Sequence, residues 1–158
     1  MGTLRTFYPR AEGTVGEVVV SVTVANVMEP MNEIAFDAMV DTGAFGLVLP
    51  LAWKDRLGPL THVATVELET ADQRIVSAEV CGPVRIQLAG FRTIVGEAVF
   101  VEMRPGRKGY EPLVGYTVLE LAGAVVDMVS HRLVARKYYD LKAIAGTRRA
   151  GQDAAADL

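Results

Sequence analysis

Asp41, Thr42 and Gly43 are the residues whose types and spacing fit catalysis. A carboxylate ends the apolar run Ala38-Met39-Val40, a hydroxyl and a glycine follow at once, and a second apolar run, Leu47-Val48-Leu49, comes next. Two strands meeting at a tight turn would display Asp41 there. A carboxylate is costly to take from water unless it is hydrogen-bonded or shares a proton. Thr42 offers a small hydroxyl, and Gly43 lets backbone amides approach the carboxylate. Hydrolysis of a peptide bond by carboxylates needs two of them, one to take a proton from water and one to give a proton to the carbonyl oxygen. The sequence holds one Asp-Thr-Gly and no Asp-Ser-Gly, so it supplies half of such a pair. A two-fold dimer would supply the other half, because a residue near the axis meets its own copy.

Other reactive side chains lack a comparable setting. Asp37, Asp55, Asp72 and Asp127 have no Thr-Gly after them; Asp127 reads as structural and Asp72 as solvated at a turn. Ser21, Ser77 and Ser130 lack the Gly-x-Ser-x-Gly of a nucleophile elbow. Cys81, the single cysteine, reads as a small core or turn residue, and it rules out an intrachain disulfide. His62 and His131 are too few and too isolated for a metal cluster, so neither metal nor cofactor is expected. Trp53 and Tyr116 read as core.

The elements that must position Asp41 follow from periodicity. Gly16 to Ala25 alternates valines with Ser21 and Thr23 and reads as a strand. Asn26 to Asn32 is a connection, and Glu33 to Val40 is the strand that delivers Asp41. Leu47 to Leu49 is a third strand, closed by Pro50, and Leu51 to Leu57 is a helical turn or two stopped by Gly58-Pro59. Val63 to Thr70 and Ile75 to Val80 form a hairpin with Ala71, Asp72, Gln73 and Arg74 at its turn. Cys81-Gly82-Pro83 reads as a chain break. Strands follow at Val84 to Leu88 and from Arg92 to Val101, the latter interrupted by Gly96. Met103 to Tyr110 is a basic, solvated connector. Leu113-Val114-Gly115 leads into a short helix, Tyr116 to Ala122, with Leu119 and Leu121 as apolar anchors. A last hairpin pairs Ala124 to Asp127 with His131 to Val134, and Arg136 to Ile144 reads as a short helix.

Val40-Asp41-Thr42-Gly43-Ala44 with its apolar flanks resembles the catalytic loop of retropepsin-like aspartic proteases. Leu113-Val114-Gly115 followed by a short helix resembles that family's second signature. The resemblance spans roughly Gly16 to Leu133. It implies a mainly β fold, a small closed barrel-like acid protease half-lobe with one short helix near its C-terminus, working as a homodimer on a peptide or protein substrate. It implies catalytic roles for Asp41, Thr42 and Gly43, with the Thr42 hydroxyl reaching the partner loop, and substrate contacts at Ala44, Ala71, Asp72, Gln73 and Val114. The hairpin tip lies about 30 residues after Asp41, where the family carries its flap. The family places a glycine at or near that tip, and this chain has none between Gly58 and Gly82. Members with alanine at the position of Ala44 work nearer neutrality than those with serine. Two other readings stay open: the same dimer as a catalytically weak peptide-binding or assembly module, and a barrel in which the tripeptide is coincidental.

Composition agrees with one β-rich domain. The 158 residues suffice for a proper core, and 51% are apolar. The net charge of −3, with no basic stripe, gives no footprint for nucleic acid. No apolar run approaches the roughly 18 residues of a membrane span, and the N-terminal residues lack the apolar core of a signal peptide, so a cytoplasmic protein is expected. The expected division is an N-terminal arm over 1–15, the protease-like domain over 16–135, and a partly disordered C-terminal helix and tail over 136–158.

Overall fold

The computed structural model describes residues 16–136. The expected arm at 1–15 and nearly all of the expected C-terminal helix and tail lie outside them.

Among the described residues nine strands form, β1 (Val19–Asn26), β2 (Glu33–Val40), β3 (Leu47–Pro50), β4 (Thr61–Glu69), β5 (Ile75–Leu88), β6 (Ile94–Val101), β7 (Leu113–Val114), β8 (Ala124–Asp127) and β9 (Arg132–Ala135). A 3-10 helix covers Leu51–Leu57, and an α-helix, α1, covers Tyr116–Ala122. The main sheet runs β1-β2-β7-β3-β6-β5-β4, and β1 also pairs with β5. That pairing closes six strands into a barrel and leaves β4 as an outer arm. β8 and β9 make a separate hairpin beside it.

The alternation in β1 decides which face is inside. Val20, Val22 and Val24 point into the barrel, while Val19 and Ser21 face out. The core also takes Ile34 and Ala38 from β2, Leu47 and Leu49 from β3, Ile86 and Leu88 from β5, and Phe100 from β6. Burying a side chain of this size contributes about 1.5–3 kcal/mol. Asn26, buried at the end of β1, donates to the carbonyls of Leu57 and Pro59, both at 2.9 Å, and so ties the barrel to the end of the 3-10 helix.

The long strand β5 corrects the break expected at Cys81-Gly82-Pro83. The chain stays in the sheet and shifts register against β6 between Cys81 and Val84. Gly82 makes this possible: a Cβ there would lie 3.1 Å from the Gly96 carbonyl. The bulge lets one strand belong to the β4 hairpin at its start and to the barrel at its end. Gly96, expected to interrupt the next strand, likewise sits inside a continuous β6.

The helix carries two further corrections. Val118, Leu119 and Ala122 are its buried residues, whereas Leu121 is 47% exposed and is no anchor. Tyr116, expected in the core, is 57% exposed. Trp53 does pack as expected, with ring centroids 5.1 Å from Phe36 and 5.9 Å from Tyr110.

Candidate active site

Asp41 follows directly on β2, and the short strand β7 determines where it sits. β7 lies between β2 and β3, parallel to the first through Met39↔Leu113 and Val40↔Val114, antiparallel to the second through Leu47↔Val114 and Val48↔Leu113. The loop that leaves β2 must therefore pass around the end of β7 before it returns as β3. Backbone bonds fasten it on the way. Asp41 N donates to Val114 O at 2.9 Å, Gly115 N to Gly46 O at 2.8 Å, Tyr116 N to Ala44 O at 2.8 Å and Thr117 N to Phe45 O at 2.9 Å. The Thr117 hydroxyl donates to the same Phe45 carbonyl at 2.9 Å.

Within the loop, Gly43 N donates to the Asp41 carboxylate at 2.9 Å, and Ala44 N donates to the Asp41 carbonyl at 3.1 Å. The turn is thus closed on the carboxylate, and Gly43 brings its amide close because it has no Cβ: one would lie 3.1 Å from Asp41 Oδ1. Asp41 is half-buried, while Thr42 and Gly43 are exposed. Among the described residues, the Asp41 carboxylate receives that one hydrogen bond and the Thr42 hydroxyl makes none. The carboxylate is held by that amide and stays half-exposed.

The eight residues expected at the site fall into two groups. Asp41, Thr42, Gly43, Ala44 and Val114 come together at the loop. Ala71, Asp72 and Gln73 lie at the tip of the β4–β5 hairpin, bonded within their own turn. There Thr70 N donates to Arg74 O, Gln73 N donates to Thr70 O, and Gln73 takes the left-handed position, φ 63°, that a glycine commonly fills. The Thr70 hydroxyl and Arg74, in that order, hold the Asp72 carboxyl below its ordinary range.

Val114 meets Asp41 through its backbone. Its side chain is fully buried in the barrel core, so direct substrate contact through that side chain is excluded. Its strand neighbour Leu113 is half-buried and pairs with half-buried Val48. Sequence reasoning missed this inversion of faces, although the two-residue period of a strand carries the signal. It also passed over Gly115 as a packing site. A Cβ there would lie 2.4 Å from the Ala44 carbonyl and 2.6 Å from the Gly46 carbonyl, so only glycine fits beneath the loop.

A second apolar cluster links the loop to the hairpin. Ala78, Val80, Val99 and Val101 are its buried members, and Val48, Val66, Leu68, Val76 and Met103 pack against them half-buried. Beside it, Lys54 Nζ lies 2.8 Å from a Glu79 carboxylate oxygen, which raises the lysine and lowers the glutamate from their ordinary values. Burial pushes the Cys81 thiol up, which leaves it a poor nucleophile. Among the described residues no group of three or more His, Cys, Asp or Glu side chains is placed to hold a metal ion, and no helix is long and apolar enough to cross a membrane.

Residues 14–118 match the aspartyl protease family. No curated protein matches the sequence. Solved structures of similar fold include the EIAV protease complexed with the inhibitor HBY-793, at a TM-score of 0.52 and 18% identity, covering 76% of this chain and 99% of that one. At this identity the likeness is one of fold: the closed barrel is that of a retroviral protease subunit.

Proposed function

The chain belongs to the aspartyl protease family, and on that premise we propose that two copies assemble into one endopeptidase, with Asp41 of each supplying half of the catalytic pair. The single observation that carries this reading is the Asp41 loop itself. Its carboxylate accepts from Gly43 N, its backbone is tied to β7, and it stays half-exposed with no other partner among the described residues.

Two carboxylates about 3 Å apart cannot both ionise and share one proton, as is general for aspartic proteases. The ionised partner takes a proton from water, and the protonated one donates to the carbonyl oxygen of the peptide bond. The tetrahedral intermediate then collapses as the leaving nitrogen gains a proton. The Thr42 hydroxyl, without a partner among the described residues, reaches the facing loop and holds the two Asp41 side chains in register. The β4–β5 hairpin, with Ala71, Asp72 and Gln73 at its tip, closes over a bound peptide.

The test is Asp41→Asn. The amide keeps the shape of the side chain but accepts no proton from water. Peptidase turnover should fall by at least about 10³-fold, within the scale of a lost acid–base group, while sedimentation and the circular dichroism spectrum stay as in the wild type. Unchanged turnover in the purified variant refutes the assignment. A wild type that binds peptide as a dimer without cleaving it would favour an assembly module instead.

A further inference from the structure

We propose that the outer face of the barrel carries a second binding site, separate from Asp41, that takes a dipeptide by its two charged ends, the ammonium at Glu33 and the carboxylate at Arg85. The inference does not need the peptidase reading.

The site follows from register. Val22 and Val24 point into the barrel, so Thr23 and Ala25 of the same strand point out. Ala25 lies opposite Glu33 of β2 on one side and Arg85 of β5 on the other, and Thr23 lies opposite Gln87 of β5. Cross-strand partners share a face, so a carboxylate and a guanidinium flank an alanine. Two strand spacings put their backbones about 10 Å apart. Ala25 is only 1% exposed although it lies on the outer face, so its neighbours rise well above it. Between them is a hollow of about 290 Å³, lined by Thr23, Ala25, Glu33, Arg85, Gln87 and Thr93.

Its polar groups differ in what they have left to give. Gln87 Nε2 donates to the Phe91 carbonyl, and Gln87 Oε1 accepts from the Thr93 hydroxyl, so these two fix one wall. The side chains of Glu33, Arg85 and Thr23 make no hydrogen bond or ion pair among the described residues. Two unlike charges held apart over an alanine floor make a fixed dipole, and the complementary ligand carries the opposite one. That ligand is a zwitterion. A free amino acid has both charges on one carbon and reaches one wall at a time. A dipeptide, about 7 Å long when extended, reaches both and brings its amide to Thr23. Glu33 opens β2 and Asp41 follows its end, about 26 Å along the strand. A dipeptide held here leaves the Asp41 loop accessible.

Calorimetric titration of the Asp41→Asn chain with alanyl-alanine tests the site, since that variant separates binding from cleavage. The dipeptide should bind saturably. Its N-acetyl form and its C-terminal amide should each bind at least about tenfold more weakly, the scale of losing a hydrogen-bonded charge. Glu33→Arg and Arg85→Glu should each cause a similar loss. The double variant should recover the affinity, because a zwitterion can turn round in a site whose poles are exchanged; a variant merely damaged in folding could not do this. Free alanine binding as tightly as alanyl-alanine would overturn the dipeptide assignment. The site itself is overturned by the absence of saturable binding up to about 10 mM, by single variants that bind as the parent does, or by a double variant no better than either single one. None of these results bears on whether two Asp41 side chains form a catalytic pair.

Discussion

Asp41 and Asp72 each sit in a tight turn between strands, and each carboxylate accepts a hydrogen bond from within its own turn. What lies outside the turn differs. The Asp41 loop is fastened by Val114, Gly115, Tyr116 and Thr117, residues about 70 positions away in sequence. Among the described residues, the Asp72 turn is fastened by Thr70 and Arg74 alone. A group that must stand within tenths of an ångström of its target is set by bonds to a distant, buried strand. A turn closed on itself can move with the outer part of its hairpin, since β5 pairs with β6 only from Ala78 onward. The apolar cluster under β4 and β5 is what the hairpin rests on.

The comparison breaks most easily at Gly115. In Gly115→Ala the new methyl would meet the Ala44 and Gly46 carbonyls, both backbone atoms that cannot turn aside. Overpacking of this kind costs about 1–3 kcal/mol or more. The urea midpoint should fall accordingly, and peptidase activity should be lost even where the protein remains folded. Gly43→Ala is the sharper instrument. Its methyl meets only Asp41 Oδ1, at 3.1 Å, so the carboxylate shifts while the barrel is untouched. Turnover should drop roughly tenfold to a hundredfold, with stability changed by no more than about 0.5 kcal/mol. If both variants lose stability and activity in step, the loop is a structural feature rather than a positioning device.

How much of this was legible in the sequence follows the same division. Residue pattern placed β2 and the last hairpin almost to the residue, and strand alternation placed β1 and the β4–β5 turn with looser ends: β1 starts at Val19 rather than Gly16, and β5 runs past Val80 to Leu88. Asp41-Thr42-Gly43 stood out because turn chemistry is local. The threading of β7 between β2 and β3 was not legible from the residues, since nothing near Leu113 announces a partner at Met39. The need for Gly115 follows from that threading and was hidden with it. Cys81-Gly82-Pro83 misled because Gly-Pro usually ends a strand, and only the approach of Gly96 from β6 shows why a bulge forms instead. The faces of α1 were misread at Tyr116 and Leu121 because seven residues are too few for a helical period to declare itself.

At the hairpin tip the expected effects are smaller. Gln73 holds φ 63°, a region that disfavours an L side chain by roughly 1 kcal/mol. Gln73→Gly should therefore raise thermal stability slightly, by up to about 1 kcal/mol in free energy, and leave the Asp41 loop unaffected. A loss of stability would mean that the glutamine side chain holds the turn. The same region should respond to ligand: hydrogen exchange at Ala71 to Arg74 should slow with a saturating peptidomimetic, while exchange at Asp41, already tied to Val114, should change less. Equal slowing at both would erase the distinction between a fixed base and a moving tip.

The smallest effect is a pH dependence confined to the tip. The Thr70 hydroxyl and Arg74 lower the Asp72 carboxyl from its ordinary value of 3.8. A depressed folded value means that the folded turn prefers the ionised form. Its contribution is complete above 3.8 and is lost as the pH falls through the depressed value. Asp72 and Arg74 are both well exposed, so the ion pair is screened by salt and its effect on the whole protein is slight. The local readout is the protection of the Gln73 and Thr70 amides, which donate to Thr70 and Arg74 across the turn. Protection relative to the intrinsic exchange rate should be constant from about pH 7 to about pH 5 and should fall below the ordinary carboxylate range. In Asp72→Asn the side chain keeps a hydrogen-bonding oxygen but cannot titrate, so protection should be lower at neutral pH and flat with pH. If the wild-type tip is equally protected on both sides of that range, the turn is held by its backbone bonds alone, and the Asp72 carboxylate contributes nothing to its order.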